Sequence, residues 1–206
     1  MDPSSPPGAA PTPAPETVAL LGGSFDPPHV CHVLISLYVL QSGRASQVWW
    51  IPCKRHAFDK RMAPFADRLA MCEAATRWLP EVRVDPLELE LDGPSYTLAT
   101  VRELARLHPG RRFVWIAGSD VLPDLPRWHR WPELAAEVPF VIIPRGDDDP
   151  PPPPAGTFHH LPIRFPDVSS TALREALRSG EAVNGLIDAA VARHIRDEAL
   201  YRDGTG

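Results

Sequence analysis

Short, continuously apolar runs alternate with longer stretches of mixed polarity along most of this chain. The runs at 18–21 (Val-Ala-Leu-Leu), 48–51 (Val-Trp-Trp-Ile), 113–117 and 140–143 are too short for helices, and each is bounded by polar, Gly or Pro positions. Uninterrupted apolarity over four or five residues marks a strand buried on both faces. Strands are therefore expected at 18–23, 48–53, 113–117 and 140–144. Partial alternation predicts another at 82–91, and 158–163 reads as a sixth. Between them the apolar spacing is helical at 30–41 and at 64–79, where Pro64 suits a first helical position and Pro80 a stop. A helix capped by Ser95 or Thr97 runs through His108 to Pro109-Gly110, and a short helical region carries Trp128-His129-Arg130-Trp131. Helices over 170–179 and 188–201 finish the chain. Strands alternating with helices in this way give an α/β fold, a Rossmann-like doubly wound, mainly parallel sheet with a small C-terminal helical region.

Composition adds boundaries to that picture. The chain has 206 residues, of which 44% are hydrophobic, enough for one domain of α/β size. Its 26 prolines are unevenly spread. Residues 1–17 form a Pro/Ala-rich segment that cannot bury enough apolar surface to order itself, and 18–203 form the folded domain. A second proline tract, at about 146–156, reads as a solvated surface loop. The formal charge of −5 argues against broad nucleic-acid binding, which needs a basic face. Three cysteines without a paired spacing fit a reducing compartment. With no basic, apolar leader and no run near the roughly 18 residues of a membrane span, a cytoplasmic protein is expected. Nothing in the pattern marks an oligomer interface.

The chemistry concentrates in Gly22-Gly23-Ser24-Phe25-Asp26-Pro27-Pro28-His29, followed by His32. A Gly-rich turn between a strand and a helix lets the backbone approach a ligand, and the helix start favours an anion. His29 and His32, three apart, can converge on one group, and phosphate is the first choice. A zinc site from His29, Cys31, His32 and Cys53 is disfavoured, because near-consecutive positions do not give tetrahedral geometry easily. No metal ligand is assigned. The residues that follow 21, 53, 117 and 144 all lie at predicted strand ends, so they should share one cleft. Neither the Gly-x-Gly-x-x-Gly fingerprint nor the Walker A pattern is present.

The 22–32 stretch resembles the His-x-Gly-His signature of the nucleotidyltransferase superfamily, with Cys31 where that signature has glycine. Val168-Ser169-Ser170-Thr171-Ala172-Leu173-Arg174 resembles its second signature, Ile-Ser-Ser-Thr-x-Ile-Arg. Pro94-Ser95-Tyr96-Thr97, Gly118-Ser119-Asp120 and Trp128-His129-Arg130-Trp131 then match, in order, the bacterial nicotinate-nucleotide adenylyltransferase family over about 18–201. The loop 55–60 departs from that family's commoner Pro-Pro-His-Lys form.

The resemblance implies transfer of AMP from ATP to nicotinate mononucleotide, giving deamido-NAD and pyrophosphate, with Mg2+ carried on the ATP. It implies catalytic roles for His29, His32 and Arg174. Gly22, Gly23, Ser24, Phe25, Gly118, Asp120, Ser169, Ser170 and Thr171 would join them around ATP, Asp120 on the ribose hydroxyls. Ser24, Tyr96, Thr97, Trp128, Lys60, His56 and Arg145 would hold the mononucleotide, with Trp128 against the pyridine ring. Trp49, Trp115 and Trp131 read as packing residues. Nicotinamide mononucleotide or another phosphate acceptor is the alternative substrate, and a non-catalytic nucleotide sensor is the alternative outside enzymes.

Overall fold

The computed structural model describes residues 16–55, 62–145 and 153–202. Six strands form one sheet: β1 (Thr17–Gly23), β2 (Gln47–Pro52), β3 (Val82–Val84), β4 (Arg112–Gly118), β5 (Phe140–Ile143) and β6 (Phe158–His160). Every neighbouring pair is parallel and the order is β3-β2-β1-β4-β5-β6. The chain moves outward from β1 in one direction, then crosses back and moves outward in the other. A crevice therefore opens between the carboxyl ends of β1 and β4.

Side chains alternate between the two faces, and both faces are covered. Ala19, Leu21, Val48, Trp50, Ile116 and Val141 pack with α1 (Val30–Gln41), α2 (Phe65–Thr76), α5 (Ser170–Ser179) and α6 (Ala189–Asp197). Val18, Leu20, Trp49, Ile51, Phe113 and Phe140 face the other way, toward α3 (Thr97–Leu107), a 3-10 helix over Ser119–Arg127 and α4 (Trp131–Glu137). Double coverage is why the strand sequences are apolar throughout. Trp49 and Trp131 are core residues as expected, Trp131 against Phe140 and Phe158. Two contacts tie α2 and its C-cap to the C-terminal part: a hydrogen bond between His194 Nε2 and Asp67 Oδ1 at 3.0 Å, and an ion pair of Arg77 Nη1 with Asp188 Oδ1 at 2.9 Å.

Several boundaries differ from the expectation, each for a local reason. The third strand stops at Val84 because Asp85 turns the chain: its Oδ1 accepts from Leu87 N at 3.0 Å, and a 3-10 turn over Leu87–Leu89 replaces the extended pairing. Pro64 stands just outside α2 at the cap position, and α2 ends at Thr76, where the Thr76 hydroxyl bonds back to the Cys72 carbonyl. Neither Ser95 nor Thr97 caps α3. Tyr96 holds the cap position, and the Ser95 hydroxyl accepts from Arg55 N instead. The last helix ends at Asp197, after which Ala199 and Tyr201 turn left-handed. Among the described residues no helix is long and apolar enough to cross a membrane.

One buried cation fixes the loops above the sheet. Arg68 on α2 is 1% exposed. Its Nη1 donates to Ser24 O at 2.7 Å, Nη2 to Cys53 O at 2.9 Å and Nε to Ala63 O at 2.9 Å. One guanidinium thus satisfies carbonyls in the β1–α1 turn, after β2 and before α2. Arg68→Met keeps the packing but leaves those carbonyls without a donor, each an uncompensated desolvation. The variant is expected to lose about 3 kcal/mol or more in urea denaturation. A loss under about 1 kcal/mol would show that the loops are held by other means.

Candidate active site at the carboxyl ends of the strands

A cavity of about 650 Å³ opens over the crevice between β1 and β4. Its walls include Gly22, Gly23 and Ser24 at the end of β1, Cys53 after β2, Gly118 and Asp120 at the end of β4, and Arg145 after β5. Of the four clusters expected to share a cleft, those following 21, 117 and 144 do so; after 53, Lys54 and Arg55 do not line the cavity and 56–61 lie outside the described residues. Trp115 is buried but is also part of this wall, a correction to its reading as core alone. A Cβ at Gly22 would lie 2.3 Å from Trp115 Cζ2, so glycine is what lets the indole slide beneath the turn.

The histidine turn is set by its own backbone. His29 holds the cap position of α1 and is buried, 4% exposed, whereas His32 opens onto the cavity. Their ring centroids are 3.9 Å apart. The His29 backbone N–H donates to His32 Nδ1 at 3.1 Å. With Nδ1 accepting, the neutral ring carries its proton on Nε2. The free helix-start amides expected here are partly occupied: Val30 N donates to Leu186 O at 2.8 Å and His32 N to His29 O at 2.9 Å. His29 Nδ1 is buried with no hydrogen-bond partner among the described residues. Burial, then the charge of Arg145, pushes His29 down to about 4. Burial also holds His32 well below the usual imidazole range, reinforced by His29 and Arg145. Phe25 does not line the cavity. It lies beneath His32, stacked on Trp50 at 4.9 Å, with a left-handed φ of 47°.

At the other end, Tyr96, Thr97, Trp128 and His129 line the cavity together. The Tyr96 and His129 rings stack at 4.2 Å and 15°. Trp128 meets Phe140 edge-on at 6.4 Å, which fixes a half-buried indole at the rim. Asp120 lies 3.7 Å from Arg145 Nε, its carboxylate folded back over Gly118. His56 and Lys60 lie outside the described residues. Lys54, from the same basic loop, donates to the carbonyls of Leu89 and Leu91.

The second cluster comes to the turn, not to the cavity wall. Ser169 caps α5, its Oγ accepting from Ala172 N at 3.2 Å, and Ser170 Oγ donates to Pro27 O at 2.9 Å. Arg174 Nη1 donates to Asp26 O at 2.8 Å, and Nη2 reaches Thr171 Oγ1 at 3.4 Å. Cys31 faces the same side: its thiol, pushed up by burial, donates to Pro166 O at 3.2 Å and leaves the turn's cavity face uncrowded. The sequence reading missed Arg68, Asp26 and Tyr201. Only Asp26 carried a signal, as an acid inside the signature turn.

A cytidylyltransferase-like family model matches residues 20–176. Among curated proteins, one from Anaeromyxobacter dehalogenans named "Probable nicotinate-nucleotide adenylyltransferase" is 39% identical over 192 residues, covering 90% of this chain and 96% of the relative. One of the same name from Geobacillus kaustophilus is 35% identical over 193 residues, covering 92% and 88%. Among solved structures, nicotinic acid mononucleotide adenylyltransferase of Plasmodium falciparum complexed with NaAD has a TM-score of 0.75 at 22% identity, covering 90% of this chain and 97% of that one. That likeness shows the shared fold.

The depressed histidines predict a pH dependence. Unfolding restores each imidazole to near 6.5, so between about 6.5 and about 4 the unfolded chain binds more protons than the folded one. Their contribution to stability is therefore complete above that window and is lost as pH falls through it. The thermal midpoint should drop between about pH 7 and about pH 5, and less steeply in His29→Asn. Equal slopes for variant and parent would contradict the assignment.

Proposed function

The chain belongs to the nicotinate-nucleotide adenylyltransferase family, within the cytidylyltransferase-like group, and we propose that its cavity carries out that transfer by positioning two polyanions in line. A phosphate oxygen of nicotinate mononucleotide attacks the α-phosphorus of ATP, the α–β bridging bond breaks, and pyrophosphate leaves. The attacking oxygen is already ionised near neutral pH, so no general base is required. What the protein must supply is alignment and neutralisation of developing charge.

The observation that carries this reading is His32. A neutral imidazole whose Nδ1 is taken by the His29 N–H has one remaining function, donation of Nε2–H into the cavity. Burial keeps it a hydrogen-bond donor without a titration near neutral pH. His29 Nδ1, buried and without a partner among the described residues, is suited to an oxygen or hydroxyl brought by a ligand. Gly22, Gly23 and Gly118 allow the backbone close to the nucleotide, and Asp120 faces the ribose diol. Tyr96, Thr97 and Trp128 form the pyridine end, the start of α3 favouring the ring carboxylate. Arg145 is the cation for the mononucleotide phosphate. Ser169, Ser170, Thr171 and Arg174 serve the distal ATP phosphates from beyond the turn.

Magnesium on the triphosphate is the proposed cation; bound, it spreads negative charge off the phosphate oxygens. Among the described residues, Glu88, Asp120 and Asp124 on the cavity wall form no cluster for a bare ion; an ion that arrives on phosphate and keeps its waters needs none. The three free cysteines fit a cytoplasmic setting.

Pyrophosphate release from ATP, magnesium and nicotinate mononucleotide tests the activity, with nicotinamide mononucleotide as the competing acceptor. No release above background with either acceptor would refute it. His32→Asn keeps an acceptor for the His29 N–H but removes the Nε2–H donor. It is expected to lose about 10²–10³-fold in kcat with the thermal midpoint near the parent's, whereas His32→Gln, which can still reach into the cavity, should retain more. Parent-like turnover by His32→Asn would remove His32 from the transfer.

A further inference from the structure

Beyond α6 the chain makes a turn that its sequence does not favour. Ala199 and Tyr201 adopt left-handed φ values of 52° and 63°. Each costs roughly 1–2 kcal/mol for a residue with a side chain, so the surroundings must over-determine the conformation. Its result is that the Tyr201 ring is buried and its hydroxyl donates to Asp26 Oδ1 at 2.7 Å. Burial and the neighbouring Asp26 charge push the phenol up, so it remains a donor.

Asp26 is a junction. It is fully buried, three positions before His29 in the catalytic turn. Oδ1 also accepts from Ala63 N at 3.2 Å, on the approach to α2. Oδ2 has no hydrogen-bond partner among the described residues and faces Arg174 Nη1 at 3.7 Å, too far for a direct bond. That same Nη1 donates to the Asp26 carbonyl at 2.8 Å. The carboxylate is thus held back, through Oδ1, from a two-point pair with Arg174 that its geometry otherwise invites.

We propose that Tyr201 is a positioning residue for the transfer: its hydroxyl anchors the Asp26 carboxylate, and so sets where the Arg174 guanidinium and the histidine turn stand relative to the ATP phosphates. Without that hydroxyl the carboxylate turns toward Arg174, pairs with it through both oxygens and withdraws it from ATP. The inference rests on the function proposed above, but its readout is ATP itself. The pyridine end of the cavity, at Tyr96 and Trp128, does not share these contacts.

Tyr201→Phe removes one oxygen and keeps the ring. Calorimetric ATP binding and steady-state kinetics on the full chain are both measured, in the parent and in the Arg174→Met background. The expected result is a loss of about 10-fold in kcat/KM for ATP, or in ATP affinity, at unchanged KM for nicotinate mononucleotide, and no further loss when Arg174 is already methionine. A lowered thermal midpoint with all constants unchanged would overturn the proposal, as would equal losses in both backgrounds. Should Tyr201→Phe unfold at the assay temperature, the same measurements are made in sucrose, which favours the folded state of parent and variant alike, with the same ATP-specific loss expected and the same unchanged constants overturning it. An ATP-binding parent that releases no pyrophosphate would refute the function, while the ATP affinities of parent and variant would still decide the role of Tyr201.

Discussion

The turn from Gly22 to His29 has to bury several carbonyls and one carboxylate while leaving its outer face open to a ligand, and the structure around it follows from that requirement. Water cannot serve these groups without filling the site. Donors therefore come from elsewhere in the chain: Arg68 from α2, Arg174 and Ser170 from α5, and Tyr201 from the C-terminal turn. Val30 N turns outward to the Leu186 carbonyl. Helices distant in sequence are thereby packed over β1, and the turn can hold a left-handed Phe25 at its centre.

The frame was legible because sheet coverage writes itself into the sequence. Runs such as Val18–Leu21 and Val48–Ile51 are apolar since both their faces are covered, and the cleft beyond them follows from topology. Local polar competition was harder to see. Asp85 ends β3 by taking Leu87 N, and Ser95 leaves its cap position to serve Arg55 N. Trp115 reads as core in the sequence because apolarity cannot distinguish a cavity wall from an interior. Arg68 and Tyr201 were invisible for another reason. Their partners at Ser24 and Asp26 lie 44 and 175 positions away, and no spacing rule connects such residues.

The site's electrostatics agree with a reaction that needs placement more than proton transfer. Buried imidazoles kept neutral, with one tautomer fixed by a backbone amide, make poor acids and bases near neutral pH but well-oriented donors. Arg145 beside them keeps the region favourable to anions. The departure at Cys31 is harmless on this account, because the thiol turns to the Pro166 carbonyl and away from the cavity.

Direct in-line displacement without a covalent intermediate is the centre of this account, and the stereochemical course at phosphorus tests it. One diastereomer of ATP carrying sulfur at the α-phosphorus, reacted with nicotinate mononucleotide, should yield a product with inverted configuration. Retention would mean two displacements through an adenylylated side chain and would contradict it.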